Sequence, residues 1–203
     1  MNIKTAIAMS LALGVSAHAA ANVRVCVNPG TNTFPVVLVR AEAIASRMFA
    51  TAGVVIEWHT AEPAVCRNPA ETRTVILDFD TDTPRGVHPG ALAYAKPYEA
   101  IHIVVLYDRI ATNSEGPGQV SALLAHVMTH EITHLLEGFA HHSRTGVMKA
   151  NWDRNDMRQM AFKSLPFDPE DIDLIQLGLS QRAARLTPSA TAAVPPTTPM
   201  EQH

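Results

Sequence analysis

The sequence predicts an α+β domain: a twisted mixed β-sheet, an N-terminal crossover helix, one long helix in the second half, and a small helical C-terminal part. Three observations point there. Residues 22–60 read strand, helix, strand, an order that sets parallel neighbours joined by a right-handed crossover. Residues 100–107 (Ala-Ile-His-Ile-Val-Val-Leu-Tyr) are apolar enough for an interior strand, and a helix-periodic run follows at 120–136. Beyond about residue 155 only helical stretches broken by proline remain.

Residues 1–19 read as a secretion signal. Lys4 is the positive end, 6–15 is an apolar run too short to span a bilayer, and Ala17-His18-Ala19 offers a cleavage site. The folded domain is expected over 20–186. Residues 22–28 alternate apolar and polar as a first strand, stopped by Asn28-Pro29-Gly30. Residues 33–52 predict a helix: Thr33 can cap it, Pro35 suits its first turn, and Val36, Val37, Val39, Ala43, Ile44, Met48 and Phe49 give an apolar stripe before Gly53. Strands follow at 54–60 and 73–79.

The stretch 80–90 is rich in Asp, Thr, Pro and Gly and reads as a loop. Asp78, Asp80 and Asp82 alternate in a way that can hold a structural Ca2+, although a solvated turn is the plainer reading. Residues 91–97 form a short segment ending at Pro97, placed at a sheet edge because an edge tolerates a missing ladder donor. In the next strand, His102 is read as a packed histidine. After a Gly/Pro turn at 113–118 comes the long helix, with Val120, Leu123, Leu124, Val127, Met128, Leu135 and Leu136 at helical spacing and Gly138 as its stop. A short helix is expected at 155–163 and a last one from Asp168-Pro169 to about Arg185, where Ile172, Ile175, Leu177 and Leu179 are partly apolar. Residues 187–203 are Thr/Pro/Ala-rich, without apolar period, and predict a disordered tail.

The chemistry concentrates in His130-Glu131-Ile132-Thr133-His134. Two histidines four apart lie about 40° apart around a helix, so their imidazoles can share one metal ion. Glu131, beside the first, can reach a water at that metal without being a ligand. Such a motif alone is short enough to arise by chance. Here it sits in an apolar helix, ends on glycine, and is followed by His141, His142 and a Gly146-Val147-Met148 turn.

This stretch resembles the metzincin branch of the zincin metallopeptidases, whose pattern is H-E-x-x-H-x-x-G-x-x-H followed by a methionine turn. In this chain the glycine comes one position late and the third histidine one or two late. It looks closer to a group of secreted bacterial metzincin-like proteins in which His-Glu-x-x-His-Leu-Leu-x-Gly precedes His-Ser and a Gly-Ile/Val-Met turn. The resemblance implies one catalytic Zn2+ on His130, His134 and His142, with His141 as the alternative third ligand, and Met148 beneath the histidines. It also implies an edge strand, at 91–97, that pairs with extended peptide. Spacing alone does not choose between His141 and His142. The tyrosine that follows the Met turn in some metzincins has no counterpart, and Tyr94 and Tyr98 are weak substitutes.

With zinc in place, Glu131 would act as general base in peptide hydrolysis. The reading is therefore an exported zinc metalloendopeptidase acting on peptide or protein. Two alternatives stay open: a zincin-like domain that binds zinc or a partner but cleaves little, and a zinc hydrolase of a non-peptide amide. His126 is read as a buried or supporting residue and not as a ligand, and Glu137 as either a hydrogen-bond partner of a ligand imidazole or a solvated helix end. Export gives the two cysteines a meaning, since Cys26 and Cys66 can pair in only one way in an oxidising compartment. A net charge of −3 over 203 residues and 5% aromatic content offer neither a polyanion surface nor a base-stacking platform, so no nucleic-acid partner is expected. No stretch after the signal approaches transmembrane length, and a monomer is expected.

Overall fold

The computed structural model describes residues 20–30, 35–60, 64–66, 74–81, 83–95 and 101–186. The expected signal at 1–19 and the tail at 187–203 lie outside them, as do Thr33, Asp82, Pro97 and Tyr98. The elements run β1 (Ala21–Asn28), α1 (Pro35–Thr51), β2 (Val54–Thr60), β3 (Thr74–Asp80), β4 (Ala93–Ala95), β5 (His102–Leu106), α2 (Tyr107–Thr112), α3 (Pro117–Glu137), α4 (Arg154–Met160) and α5 (Pro169–Leu186). The sheet order is β2-β1-β3-β5-β4, with every neighbour parallel except β4, which is antiparallel to β5. This is the mixed sheet with an edge strand that the sequence predicts.

Strand alternation assigns the two faces. Val23, Val25 and Val27 of β1, with Val75 and Leu77 of β3 and Ile103 and Val105 of β5, join the core shared with the helices. There they meet Leu38, Met48 and Phe49 of α1 and Leu124, Met128 and Ile132 of α3. Each such side chain removed from water contributes about 1.5–3 kcal/mol. That is what holds α3 against the sheet and turns its histidine-bearing side toward the β4 edge. Cys26 points to the other face and forms the expected disulfide with Cys66, with Cα atoms 6.0 Å apart.

Three details differ from the sequence reading. The segment after β5 is the short helix α2, anchored by buried Tyr107 and Ile110, where no helix is predicted. In α5, Ile175 and Leu179 are buried but Leu177 is 52% exposed, so the apolar stripe is narrower than expected. Asp78 and Asp80 belong to no cation-binding group among the described residues. Asp78 instead accepts a hydrogen bond from Asn28 Nδ2 at 2.8 Å and lies 3.9 Å from His102 Nδ1. No described helix is long and apolar enough to cross a membrane.

Candidate metal centre

α3 carries the centre. It opens with Pro117 in its first turn, where the missing N–H costs nothing, and closes on Gly138 at φ 84°, whose N–H donates to His134 O. Within it, His130 and His134 project from one face, and their Nε2 atoms lie 3.0 Å apart. His142 arrives from the loop beyond Gly138. Its ring centroid lies 5.2 Å from that of His130 and 4.9 Å from that of His134. One nitrogen of each of the three falls within 4.8 Å of the others.

His141, the alternative, does not join them. It turns toward Glu137 and Asp171 in a separate group. Adjacent residues in an extended loop send their side chains to opposite sides, and here each side has its own cluster.

The turn over 146–148 orients the first histidine. His130 Nδ1 donates to Val147 O at 2.9 Å, which leaves its Nε2 with a lone pair directed at the cluster. Val147 is itself held by its N–H donating to Pro166 O at 2.9 Å, and Ser143 N donates to Met148 O at 2.9 Å. Gly146 adopts φ 77°, and a Cβ there would collide with Pro166 O, so glycine is required twice over. Met148 is fully buried next to this turn.

Burial favours the neutral form of the two helix histidines. It lowers the pKa of His130, and together with like-charge repulsion from the neighbouring histidines it takes that of His134 down to about 3. Neutral imidazole is the form that ligates a metal. Three imidazoles converging on one point are a donor set that fits zinc. Glu131 faces the same cleft, and burial raises its carboxyl to about 7.

The cleft has a volume of about 570 Å³. Its walls include His130, Glu131, His134 and His142 on one side and Ala91 to Ala93 at the β4 edge on the other. Arg109 braces that edge by donating to His88 O and Ala91 O at 2.6 and 2.7 Å. Leu106 N donates to Leu92 O, so Leu92 and, two residues on, Tyr94 spend their backbone groups on β5. Those of Ala93 and Ala95 face the open edge. Tyr94 is not among the residues lining the cleft.

Trp152 is, and the sequence reading passed over it. Its ring stands edge-on to His130 at 5.6 Å and to His126 at 6.3 Å. An aromatic four residues after Met148 was the only signal. His126 is structural, as read. Fully buried, it donates from Nδ1 to Ala122 O at 2.7 Å and accepts Leu165 N–H at Nε2 at 2.9 Å. Glu137 is buried, and burial together with Asp171 pushes its carboxyl up to about 7.

No protein-family model matches the chain, and neither does any curated protein. Among solved structures, an archaemetzincin from Methanopyrus kandleri is similar, with a TM-score of 0.56 at 15% identity over 81% of this chain and 99% of that one. At that identity the likeness is one of fold. The five-stranded mixed sheet and its helices share the fold of that archaemetzincin.

Proposed function

We propose that the protein is an exported zinc-dependent metalloendopeptidase, with His130, His134 and His142 as the zinc ligands. The observation that carries the reading is the convergence of these three imidazoles beside Glu131, in a cleft walled by an open sheet edge. When bound, zinc would supply Lewis acidity, bringing the pKa of water from 15.7 towards about 7 and polarising a carbonyl.

The chain's own groups supply the rest. The Val147 carbonyl holds the Nδ1 proton of His130, so that ring presents a fixed donor nitrogen. Glu131, ionised beside a bound cation, takes the proton of the attacking water at its carboxylate and returns it to the departing amine. Ala93 and Ala95 offer backbone N–H and C=O groups to an extended peptide, which would lie antiparallel along β4. The disulfide Cys26–Cys66 supports export, because such bonds persist in oxidising compartments.

The reading is tested by incubating the zinc-loaded protein with a diverse peptide mixture and reading new termini by mass spectrometry, beside Glu131→Gln. Cleavages present with the native chain and missing with the variant are expected. A mixture left intact by fully zinc-loaded protein would turn the assignment toward a binding domain or a hydrolase of non-peptide amides.

A further inference from the structure

A second group of ligand-type side chains lies behind the histidine triad. Glu137, His141 and Asp171 each bring one ligand atom within 4.8 Å of the others. They come from three elements: the last residue of α3, the loop that delivers His142, and the first turn of α5.

Glu137 is 4% exposed, and neither carboxylate oxygen meets a hydrogen-bond donor. It also sits at the C-terminal, negative end of α3, which disfavours an anion. A buried, undonated carboxylate in that position calls for a cation. Asp171 is fully buried. Its Oδ1 accepts from Ser143 Oγ, and its Oδ2 accepts Asp168 N–H at 2.8 Å. Both bonds aim the carboxylate and leave lone pairs free. His141 Nδ1 is buried without a hydrogen-bond partner, 3.8 Å from Asp171 Oδ1. That is too long for a hydrogen bond, but close enough for both atoms to reach one ion placed between them.

The geometry points to a second, structural zinc site formed by Glu137, His141 and Asp171. An imidazole with two carboxylates suits zinc, whereas calcium takes six to eight oxygens and no nitrogen. Two carboxylates and a divalent cation also close the charge balance. The site uses Glu137, the residue that closes α3 before Gly138. It also gives His141 and His142 separate tasks. An ion at the second site ties the end of α3 to the start of α5 and fixes the loop between them, which positions His142. The inference stands whether or not the triad hydrolyses peptides.

Zinc per chain, counted by native mass spectrometry after loading and desalting, tests it. The protein should carry two ions, and Glu137→Gln and His141→Ala should each carry one. The combined variant His130→Ala, His134→Ala, His142→Ala should also keep one. His141 is only half-buried, so its variant remains informative if Glu137→Gln folds poorly. One ion on the native chain, unchanged in both single variants and lost in the triple variant, would overturn the second site and leave the first intact. One ion that the triple variant keeps and Glu137→Gln loses would uphold the second site and refute the first.

Discussion

Glu131→Gln preserves shape and removes the carboxylate proposed as the base. It should lower kcat/KM by about 10²–10⁴-fold while zinc content stays unchanged. At His126 the prediction concerns stability. Burial lowers its folded pKa from 6.5 to about 4, while the Ala122 carbonyl works the other way. Between these two values the unfolded chain binds the extra proton, so stability is intact above about 6.5 and falls as pH drops towards 4. The loss is on the order of 3 kcal/mol. His130, His134, Glu131 and Glu137 titrate in the same range, so the slope is read as the difference between the native chain and His126→Gln in denaturant titrations of the metal-free protein, where those groups cancel. At this scale His130, Glu131 and His134 were legible because helical periodicity alone places them together. Spacing left His141 and His142 undecided and only the resemblance favoured His142, since the grouping depends on a loop path set by Ser143, Met148 and Asp171, which lie apart in sequence.

Among the elements, the contact of α3 with α5 is the most exposed to mutation. A Cβ on Gly178 would strike the Leu136 carbonyl, which is backbone and cannot swing aside. Gly178→Ala should therefore destabilise the fold by about 1–3 kcal/mol despite its better helix propensity, as a lowered Tm. The β4 edge offers a test of substrate pairing. Ala93 directs its N–H away from β5, so Ala93→Pro should keep the β4–β5 ladder, although the added ring must be accommodated in the core and should lower Tm. The substitution should raise KM for extended peptides by about two- to tenfold, the worth of one hydrogen bond. Most elements were readable from period and punctuation: Gly53 and Gly138 end α1 and α3 in left-handed conformations, at φ 71° and 84°. Helix α2 was not, because six residues with two buried positions carry too little period to register. Trp152 was visible as a residue but not as a wall of the cleft, because only the return of the chain after Met148 brings it against His130.

Over the whole molecule, the sheet is a platform that holds α3 beside an open edge, and the disulfide fastens its far side. Cys26 and Cys66 are 40 residues apart, so their bond removes loop entropy worth about 4 kcal/mol from the unfolded chain. Replacing both by alanine should cost up to that amount in chemical denaturation and leave the zinc stoichiometry unchanged by native mass spectrometry. The parallel core was anticipated by the strand-helix-strand opening. The second cluster was not, because the cap that Asp171 provides at Asp168 N–H already accounts for an acid at a helix start.

The most direct test of the central claim is an anomalous difference map at the zinc absorption edge from crystals of the native protein. A peak within coordination distance of one ring nitrogen on each of His130, His134 and His142, with the Glu131 carboxylate beside it, is the predicted result. A zinc peak ligated by His141 in place of His142, or none at the triad in zinc-loaded crystals, would contradict it.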